Sequence, residues 1–294
     1  MAIASLWTIL SMKTATSRLP RRLIAVTLMV MCSGGRLPAP AAAADPEAGP
    51  RWEVDYGVGS CRLIRHMGTA DRDDRLEVKR SWSFTGYDWT LYGPDMPSYS
   101  SATTITIALQ PSASTHHFKT NPYMVADESG HAVAWNDPDG LIIAALRKDH
   151  RISVTGTKNL KVAFDLPNAA DAIKALEACE DDLVASWGFD PQQVRSLSGR
   201  PEPANNAARW ATNDDYPPLD LARKNEGTTT FLLGIDADGA VTGCRILVSS
   251  GFASLDKRTC DLLFARAAFR PARNAAGVAV PAFYVNKIRW RTPR

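Results

Sequence analysis

The sequence of 294 residues lacks the short motifs by which common classes of enzyme are recognised. It has no H-E-x-x-H segment, which removes the usual zinc-peptidase site, and no G-x-S-x-G segment, which removes the nucleophile turn of α/β-hydrolases. It also has no C-x-x-C pair, which disfavours a thioredoxin-like redox site or a zinc knuckle. We therefore predict a protein that is not an enzyme and uses no metal and no cofactor.

Histidine is scarce, and the patterns that could bind a metal are unfavourable. The five histidines are His66, His116, His117, His131 and His150. His116 and His117 are adjacent, so in a strand their side chains point to opposite faces and make a poor metal pair. The segment Asp236-Ala237-Asp238-Gly239 favours a tight hairpin turn over a calcium loop, because its glycine comes too early and no glutamate closes the loop.

The N-terminal segment contains no acid before Asp45 and no long apolar run. Four bases, the last of them Arg22, precede an apolar stretch from Leu23 to Cys32. That stretch is about ten residues long, whereas a membrane span needs about 20. Small residues follow and end at Ala44, which is the order of a secretory signal peptide. We predict that residues 1–44 are a signal cleaved near Ala44, that the protein is periplasmic, and that the mature chain has no integral membrane span.

The charge of the chain is small and unevenly distributed. The formal net charge is +3, but residues 1–44 contribute five bases and no acid, which leaves −2 for the rest. A weakly acidic mature chain offers no electrostatic argument for nucleic acid or anionic lipid as a partner. Residues 45–208 hold 16 bases and 23 acids, net −7, whereas residues 209–294 hold 13 bases and 8 acids, net +5. This shift favours a domain boundary, and we predict a linker at residues 188–213, which are rich in Pro, Ser, Asn and Gly.

The sequence predicts an α+β fold with a β-rich N-terminal domain at residues 45–187. Short strand-like runs separated by turn signals occupy most of this region, and the apolar run Leu141–Leu146 is one of them. A single helix, from about Asn168 to Ser186, is predicted to close the domain because its apolar side chains recur at helical spacing.

Four cysteines remain once the signal is removed, and an even number in an exported protein favours disulfides. Cys61 lies on a predicted strand and Cys179 on the apolar face of the closing helix, so we predict that these two are paired. Cys244 and Cys260 lie on core-facing sides of a strand and of the helix over it, which predicts a second pair. That bond would close a loop of about 15 residues and contribute about 3 kcal/mol in the chain-entropy model.

The C-terminal domain, residues 214–294, has the clearest pattern of elements. A short helix opens it, and a β-hairpin turning at Asp236–Gly239 follows. Ser254 is predicted to cap a helix that ends near Ala268, with Cys260, Leu263, Phe264 and Ala267 on one apolar stripe. A long final strand is predicted from Val278 to Arg291.

A set of short motifs in this domain resembles the C-terminal domain of TonB-family energy transducers. The motifs, in order, are Tyr216-Pro217-Pro218, Glu226-Gly227-Thr228, Ile235 to Val241 with Gly239 at the turn, Ser249-Ser250-Gly251, Leu255-Asp256 and Phe269-Arg270-Pro271-Ala272. The resemblance implies a small antiparallel sheet with one packed helix. It also implies a periplasmic domain that contacts a segment of an outer-membrane receptor by adding a strand to the sheet edge. The long proline-rich spacer and the retained membrane anchor of such transducers have no counterpart in the predicted organisation.

The last predicted strand has the pattern of a partner-binding edge. Its candidate partner-binding residues are Phe283, Val285, Lys287, Arg289 and Arg291, which alternate with the apolar Tyr284, Ile288 and Trp290. An edge strand offers free backbone groups to an extended peptide, and three cations would select an acidic one. The alternative is that these cations only protect a sheet edge from aggregation.

Three functional hypotheses follow. The first is an exported TonB-like protein that binds a protein or peptide, related to outer-membrane transport. In the second, the N-terminal domain is a ligand-binding or enzymatic module that the TonB-like domain localises. In the third, the signal is not cleaved and the chain is a short anchored transducer.

Overall fold

The computed structural model describes residues 50–57, 59–68, 74–81, 86–122 and 131–292. The predicted signal peptide lies outside these ranges. None of the helices within them has both the length and the hydropathy that crossing a membrane requires. The fold is mixed, with antiparallel strands and helices, as the α+β prediction requires.

Two antiparallel sheets make up the N-terminal region. The first has the order β1-β2-β3-β4-β7, with β1 at Arg51–Gly57, β2 at Ser60–His66, β3 at Arg75–Arg80, β4 at Tyr87–Tyr92 and β7 at Ala132–Asp137. The second has the order β6-β5-β8-β9, with β5 at Thr104–Gln110, β6 at Thr115–Lys119, β8 at Arg151–Gly156 and β9 at Lys161–Asp165. Apolar side chains of both sheets form one continuous core cluster. At its centre Trp89 and Trp135, paired across β4 and β7, stack with ring centroids 6.0 Å apart.

One predicted strand of this region is wrong. Residues Leu141–Leu146 form helix α1, in which Ile142, Ile143 and Leu146 are buried. The helix begins because Asp137 accepts hydrogen bonds from the backbone N–H groups of Leu141 and Ile142, both at 2.9 Å, which satisfies two of its free donors. A six-residue apolar run fits either structure by pattern alone, and this carboxylate decides between them.

Helix α2, at Ala169–Ser186, closes the N-terminal region within one residue of its predicted start. Its buried face includes Ile173, Leu176 and Cys179, which have the predicted helical spacing. A disulfide joins Cys179 to Cys61 of β2, with the two Cα atoms 6.1 Å apart. The helix is therefore linked to the first sheet covalently as well as by packing.

The segment predicted as a linker contains short regular elements: helix α3 at Pro191–Arg195 and strands β10 at Leu197–Gly199 and β11 at Glu202–Pro203. Strand β10 pairs with β15 at Ala272–Asn274, and β11 pairs with β14 at Phe269–Arg270. These pairings attach the segment to the C-terminal region, and Asp45–Arg294 form one compact unit. The predicted domain boundaries themselves remain a prediction.

The C-terminal region has the arrangement that the motifs predicted. It contains helix α4 at Pro218–Arg223, strands β12 at Gly227–Ile235 and β13 at Val241–Val248, helix α5 at Ala253–Arg266, and strands β16 at Ala279–Val280 and β17 at Ala282–Trp290. Strands β12, β13 and β17 form an antiparallel sheet of order β13-β12-β17. The predicted long final strand is divided at Pro281, since β16 pairs with β15 whereas β17 pairs with β12.

Helix α5 buries Leu263 as predicted, but the rest of its buried face is shifted away from the predicted stripe. Its buried residues are Leu255, Thr259, Leu262 and Leu263, whereas Phe264 is 52% exposed. The helix begins after Phe252, so Ser254 lies inside its first turn and is not the cap. A disulfide joins Cys260 to Cys244 of β13, with Cα atoms 5.7 Å apart, and ties the helix to the edge of the sheet.

Candidate partner-binding edge

Strand β17 is an edge strand. It pairs with β12 over its whole length, from Gly227 opposite Trp290 to Ile235 opposite Ala282. Within the described residues, no strand pairs with its other side. Such an edge presents backbone N–H and C=O groups that an added strand can use.

The first half of β17 is covered by the N-terminal region. Phe283 and Val285 are each only 5% exposed and pack with Val184 and Trp187 from the end of α2. The rings of Trp187 and Phe283 meet edge to face, with centroids 5.2 Å apart. The side chains of these two predicted partner-binding residues therefore face the protein's own core, and only their backbone remains for a partner.

The second half of β17 has exposed, positively charged side chains. Lys287 and Arg289 are exposed on the strand, and Arg291 follows its end. All three line a surface cavity of about 380 Å³ beside Glu226. Because Lys287 and Arg289 alternate with half-buried Ile288 and buried Trp290, their side chains point away from the core.

Glu226 is the acidic residue of this cavity. It accepts hydrogen bonds from the Thr292 backbone N–H at 2.8 Å and from its hydroxyl at 2.5 Å, and Arg291 Nη1 lies 3.7 Å away. The hydrogen bonds from Thr292 hold the pKa of this carboxyl below its usual range. The cavity lining therefore contains three cations and one anion, and it favours an acidic guest.

The side chain of Asn286 occupies part of the open edge. Its Oδ1 accepts the backbone N–H of Lys287 at 2.8 Å, and its Nδ2 donates to the Tyr284 hydroxyl at 2.7 Å. The Lys287 N–H thus points away from β12. Since backbone groups alternate in direction along an antiparallel strand, the N–H of Arg289 points the same way. A guest strand must displace Asn286 to use the Lys287 amide.

Trp290 fixes the exposed half of the strand to the core. Its indole N–H donates to the Thr259 hydroxyl of α5 at 3.1 Å, and the Tyr216 ring meets it edge to face at 5.3 Å. The Tyr216 hydroxyl donates in turn to the backbone carbonyl of Asn225, just before β12. The strand end is therefore anchored to the core, while no described strand pairs with its outer edge.

The other motif residues also have structural roles. Gly239 has a φ of 86°, and an added Cβ there would lie 2.0 Å from the carbonyl oxygen of Phe269, so only glycine fits. The Phe269 N–H donates to the Gly239 carbonyl at 3.1 Å, which joins the hairpin turn to the residues before Pro271. Pro217 stands immediately before α4.

The serine–glycine turn is organised by Asp256 of α5. Its carboxylate accepts from Ser249 Oγ at 2.5 Å, from the Ser250 N–H at 2.9 Å and from Thr229 Oγ1 at 2.9 Å. Gly251, with a φ of 92°, completes the turn. This network joins the start of the helix to both strands of the hairpin.

Asp215 is a buried carboxylate that the sequence patterns did not single out. Arg266 donates to both of its oxygens, at 2.5 and 2.8 Å, and Arg258 adds a further bond at 3.0 Å. The bonds from Arg266 hold its pKa far below the ordinary carboxyl value. Its partners lie 43 and 51 positions away, so no local pattern could reveal the cluster.

The described residues contain no group of three or more His, Cys, Asp or Glu side chains placed to hold a metal. The side chain of His117 makes a hydrogen bond with Thr106 of the neighbouring strand β5, with His117 Nδ1 and Thr106 Oγ1 3.1 Å apart.

Residues 212–292 match the family model of the Gram-negative bacterial TonB protein C-terminal. The match confirms the resemblance drawn from the motifs, and it covers α4, the β12–β13 hairpin, α5 and β17. These residues are therefore similar to a TonB C-terminal domain, and the family of that domain is non-enzymatic and related to transport. No curated protein matches the chain.

Proposed function

We propose that this protein is an exported, periplasmic TonB-like protein that binds an extended segment of a protein partner along the outer edge of β17. The observation that carries the proposal is the open edge of β17, with exposed cations along the half that the protein's own core leaves uncovered. The family match supports it, because TonB C-terminal domains interact with proteins such as outer-membrane receptors.

The burial of Phe283 and Val285 limits how a partner can bind. Their side chains contribute to the core, so specificity must come from the exposed half of the strand. There a guest backbone would pair with the outward amides, while its acidic side chains meet Lys287, Arg289 and Arg291. The proposed partner segment is therefore short, extended and acidic.

Photocrosslinking in intact cells tests this surface. When a photocrosslinking amino acid replaces Lys287, we expect a crosslinked product between this protein and an envelope protein, which mass spectrometry would identify. The matched control is Lys161, which is exposed on β9 of the second sheet and should give no such product. Equal products from both positions, or none from Lys287, would contradict the proposed binding edge.

The proposal of an exported, periplasmic form with a cleaved signal has a separate test. Mass spectrometry of the protein from the periplasm should show an N-terminus near Asp45. A retained N-terminal segment would favour the anchored-transducer hypothesis instead, and the binding edge would then act in an energy transducer.

A further inference from the structure

The cations along the exposed half of β17 differ in whether they already have an acidic partner. Arg291 Nη1 lies 3.7 Å from Glu226 Oε2, and Glu226 stands directly before β12. Within the described ranges, by contrast, no acidic side chain forms an ion pair with Lys287 or Arg289. The cavity therefore has two cations whose charge no contact balances, and both are exposed.

Glu226 is fixed in position and stays ionised at neutral pH. It precedes Gly227, where an added Cβ would lie 2.2 Å from the Ser250 carbonyl oxygen, so the start of β12 is closely packed. Hydrogen bonds from Thr292 lower the pKa of the Glu226 carboxyl, and nearby positive charges lower it further. Glu226 thus serves as an internal acidic partner for Arg291 and leaves the other two cations to a guest.

Lys287 and Arg289 set the spacing of the acids that a guest strand can present. They are two positions apart, so their side chains point to the same face of the sheet, about 7 Å apart along the strand. The N–H groups of both point to the open edge, so each residue would face one residue of an added strand. Two guest residues at alternate positions would therefore lie within reach of cross-strand ion pairs.

The guest residue between these two positions would face the other side of the sheet. There its neighbour is Ile288, which is half-buried and packs against buried apolar side chains under the sheet. An apolar guest side chain would extend that contact. A charged one would lose hydration beside Ile288 without gaining a partner.

We propose that the segment bound by this edge carries two acidic residues separated by one apolar residue. This inference rests on the proposed function of β17 and adds the sequence pattern that the edge selects. The two acids would pair with Lys287 and Arg289, and the residue between them would pack beside Ile288. A third alternate acid would gain little, because Glu226 already pairs with Arg291.

Two peptides of equal composition and charge test the pattern. The peptide TEVEVT has its acids at alternate positions, whereas TEEVVT places one acid on each face of an extended chain. Fluorescence anisotropy of the labelled, amidated peptides measures binding to residues 45–294, which form one compact unit. TEVEVT should bind about threefold more tightly, because one more exposed ion pair forms. This advantage should shrink as the salt concentration rises.

Substitutions locate the peptide on the edge. Lys287→Gln and Arg289→Gln should each remove the advantage of TEVEVT over TEEVVT, because only one unpaired cation then remains. Lys161→Gln is the matched control, at an exposed position of β9, and should leave both affinities unchanged. All three positions are exposed, so the variants should fold, and thermal unfolding checks this.

A longer pair of peptides tests the role of Glu226. In wild type, TEVEVEVT should bind no more tightly than TEVEVQVT, which lacks the third acid. Glu226→Gln keeps an oxygen that can accept from Thr292 but releases Arg291, so in this variant TEVEVEVT should bind about threefold more tightly. Equal affinities in the variant would overturn the assigned role of Glu226.

The outcomes separate this inference from the proposed function. Equal wild-type affinities for TEVEVT and TEEVVT, or no saturable binding of TEVEVT, would overturn the alternating pattern. If crosslinking at Lys287 in cells still succeeds, only the pattern falls and the binding edge stands. If that crosslink also fails, the proposed function falls with it.

Discussion

The N-terminal and C-terminal regions of this protein are stabilised in different ways. The N-terminal sheets share one continuous apolar core that includes α1 and α2. The apolar side chains of the C-terminal sheet instead belong to several smaller clusters. One of these clusters also contains Val184 of α2 and Trp187, which directly follows α2. Around them lie a disulfide, the Asp256 network and the Asp215 cluster. Each region has one disulfide, but a thin sheet that keeps one edge open has less apolar surface to bury, so its disulfide and its polar links carry a larger share of its stability.

The largest expected effect is the loss of apolar packing in the N-terminal core. Trp135 is fully buried against Trp89, so Trp135→Ala should lower the free energy of unfolding by about 3–5 kcal/mol. Denaturant unfolding followed by circular dichroism measures this. The control is Tyr56→Ala, at a side chain 66% exposed, which should stay within about 0.5 kcal/mol of wild type. A comparable small effect at Trp135 would remove the contrast between the two regions.

The covalent link of the C-terminal region is expected to come next. Replacing both Cys244 and Cys260 by serine should cost about 3 kcal/mol, because the unfolded chain loses a short closed loop. Because the core clusters around the C-terminal sheet are small, this loss is a large share of the total stability of that region. Thermal unfolding of the double variant, compared with wild type under oxidising conditions, measures the difference. No change in the midpoint would show that packing alone holds α5 on β13.

The Asp215 cluster should have a smaller effect, and one that depends on pH. Asp215→Asn should cost about 1–2 kcal/mol at neutral pH, since Arg258 and Arg266 remain partly open to solvent and are screened. The folded-state pKa of Asp215 lies below the unfolded value of about 4, so its contribution is present above that pH. It is lost as the pH falls toward the folded-state pKa.

The free energy of unfolding, measured at neutral and at acidic pH, tests the direction of this pH dependence. The difference in the free energy of unfolding between wild type and Asp215→Asn should shrink as the pH falls below about 4. Asp261→Asn is the matched control, because its ion pair with Lys257 is exposed and should contribute little at either pH. A difference that grew on acidification would contradict the assigned role of the arginines.

The smallest expected effect concerns the open edge itself. Asn286→Ala removes the side chain that accepts the Lys287 N–H, so a guest strand no longer has to displace it. We expect the crosslinked product at Lys287 to increase by about two- to threefold. An unchanged or reduced yield would mean that the guest does not use this amide.

Short-range patterns predicted most of the fold. The β12–β13 hairpin follows from a turn sequence between two alternating runs, and α2 follows from apolar spacing sustained over five turns. The six residues of α1 were too few for the period to distinguish helix from strand. The buried face of α5 was predicted correctly at Leu263 but misplaced at Phe264, because the helix buries Leu255, Thr259 and Leu262 instead.

The site was predictable only in part. Alternation identified the cations of β17, but the same alternation could not show that Trp187 covers Phe283, 96 positions later in the chain. The pair of Arg80 with Glu180 is separated by 100 positions and was invisible for the same reason. Contacts between distant segments depend on how the sheets pack, which the local pattern does not encode.

The central claim is that a partner adds a strand to the edge of β17, and one pair of variants tests it most directly. Arg289→Pro removes the outward N–H as well as the charge, whereas Arg289→Gln removes the charge alone; proline is tolerated at an edge strand, so both should fold. With the crosslinker at Lys287, strand addition predicts that Arg289→Pro abolishes the product and that Arg289→Gln only reduces it. Equal yields from the two variants would contradict strand addition and leave binding by charge alone.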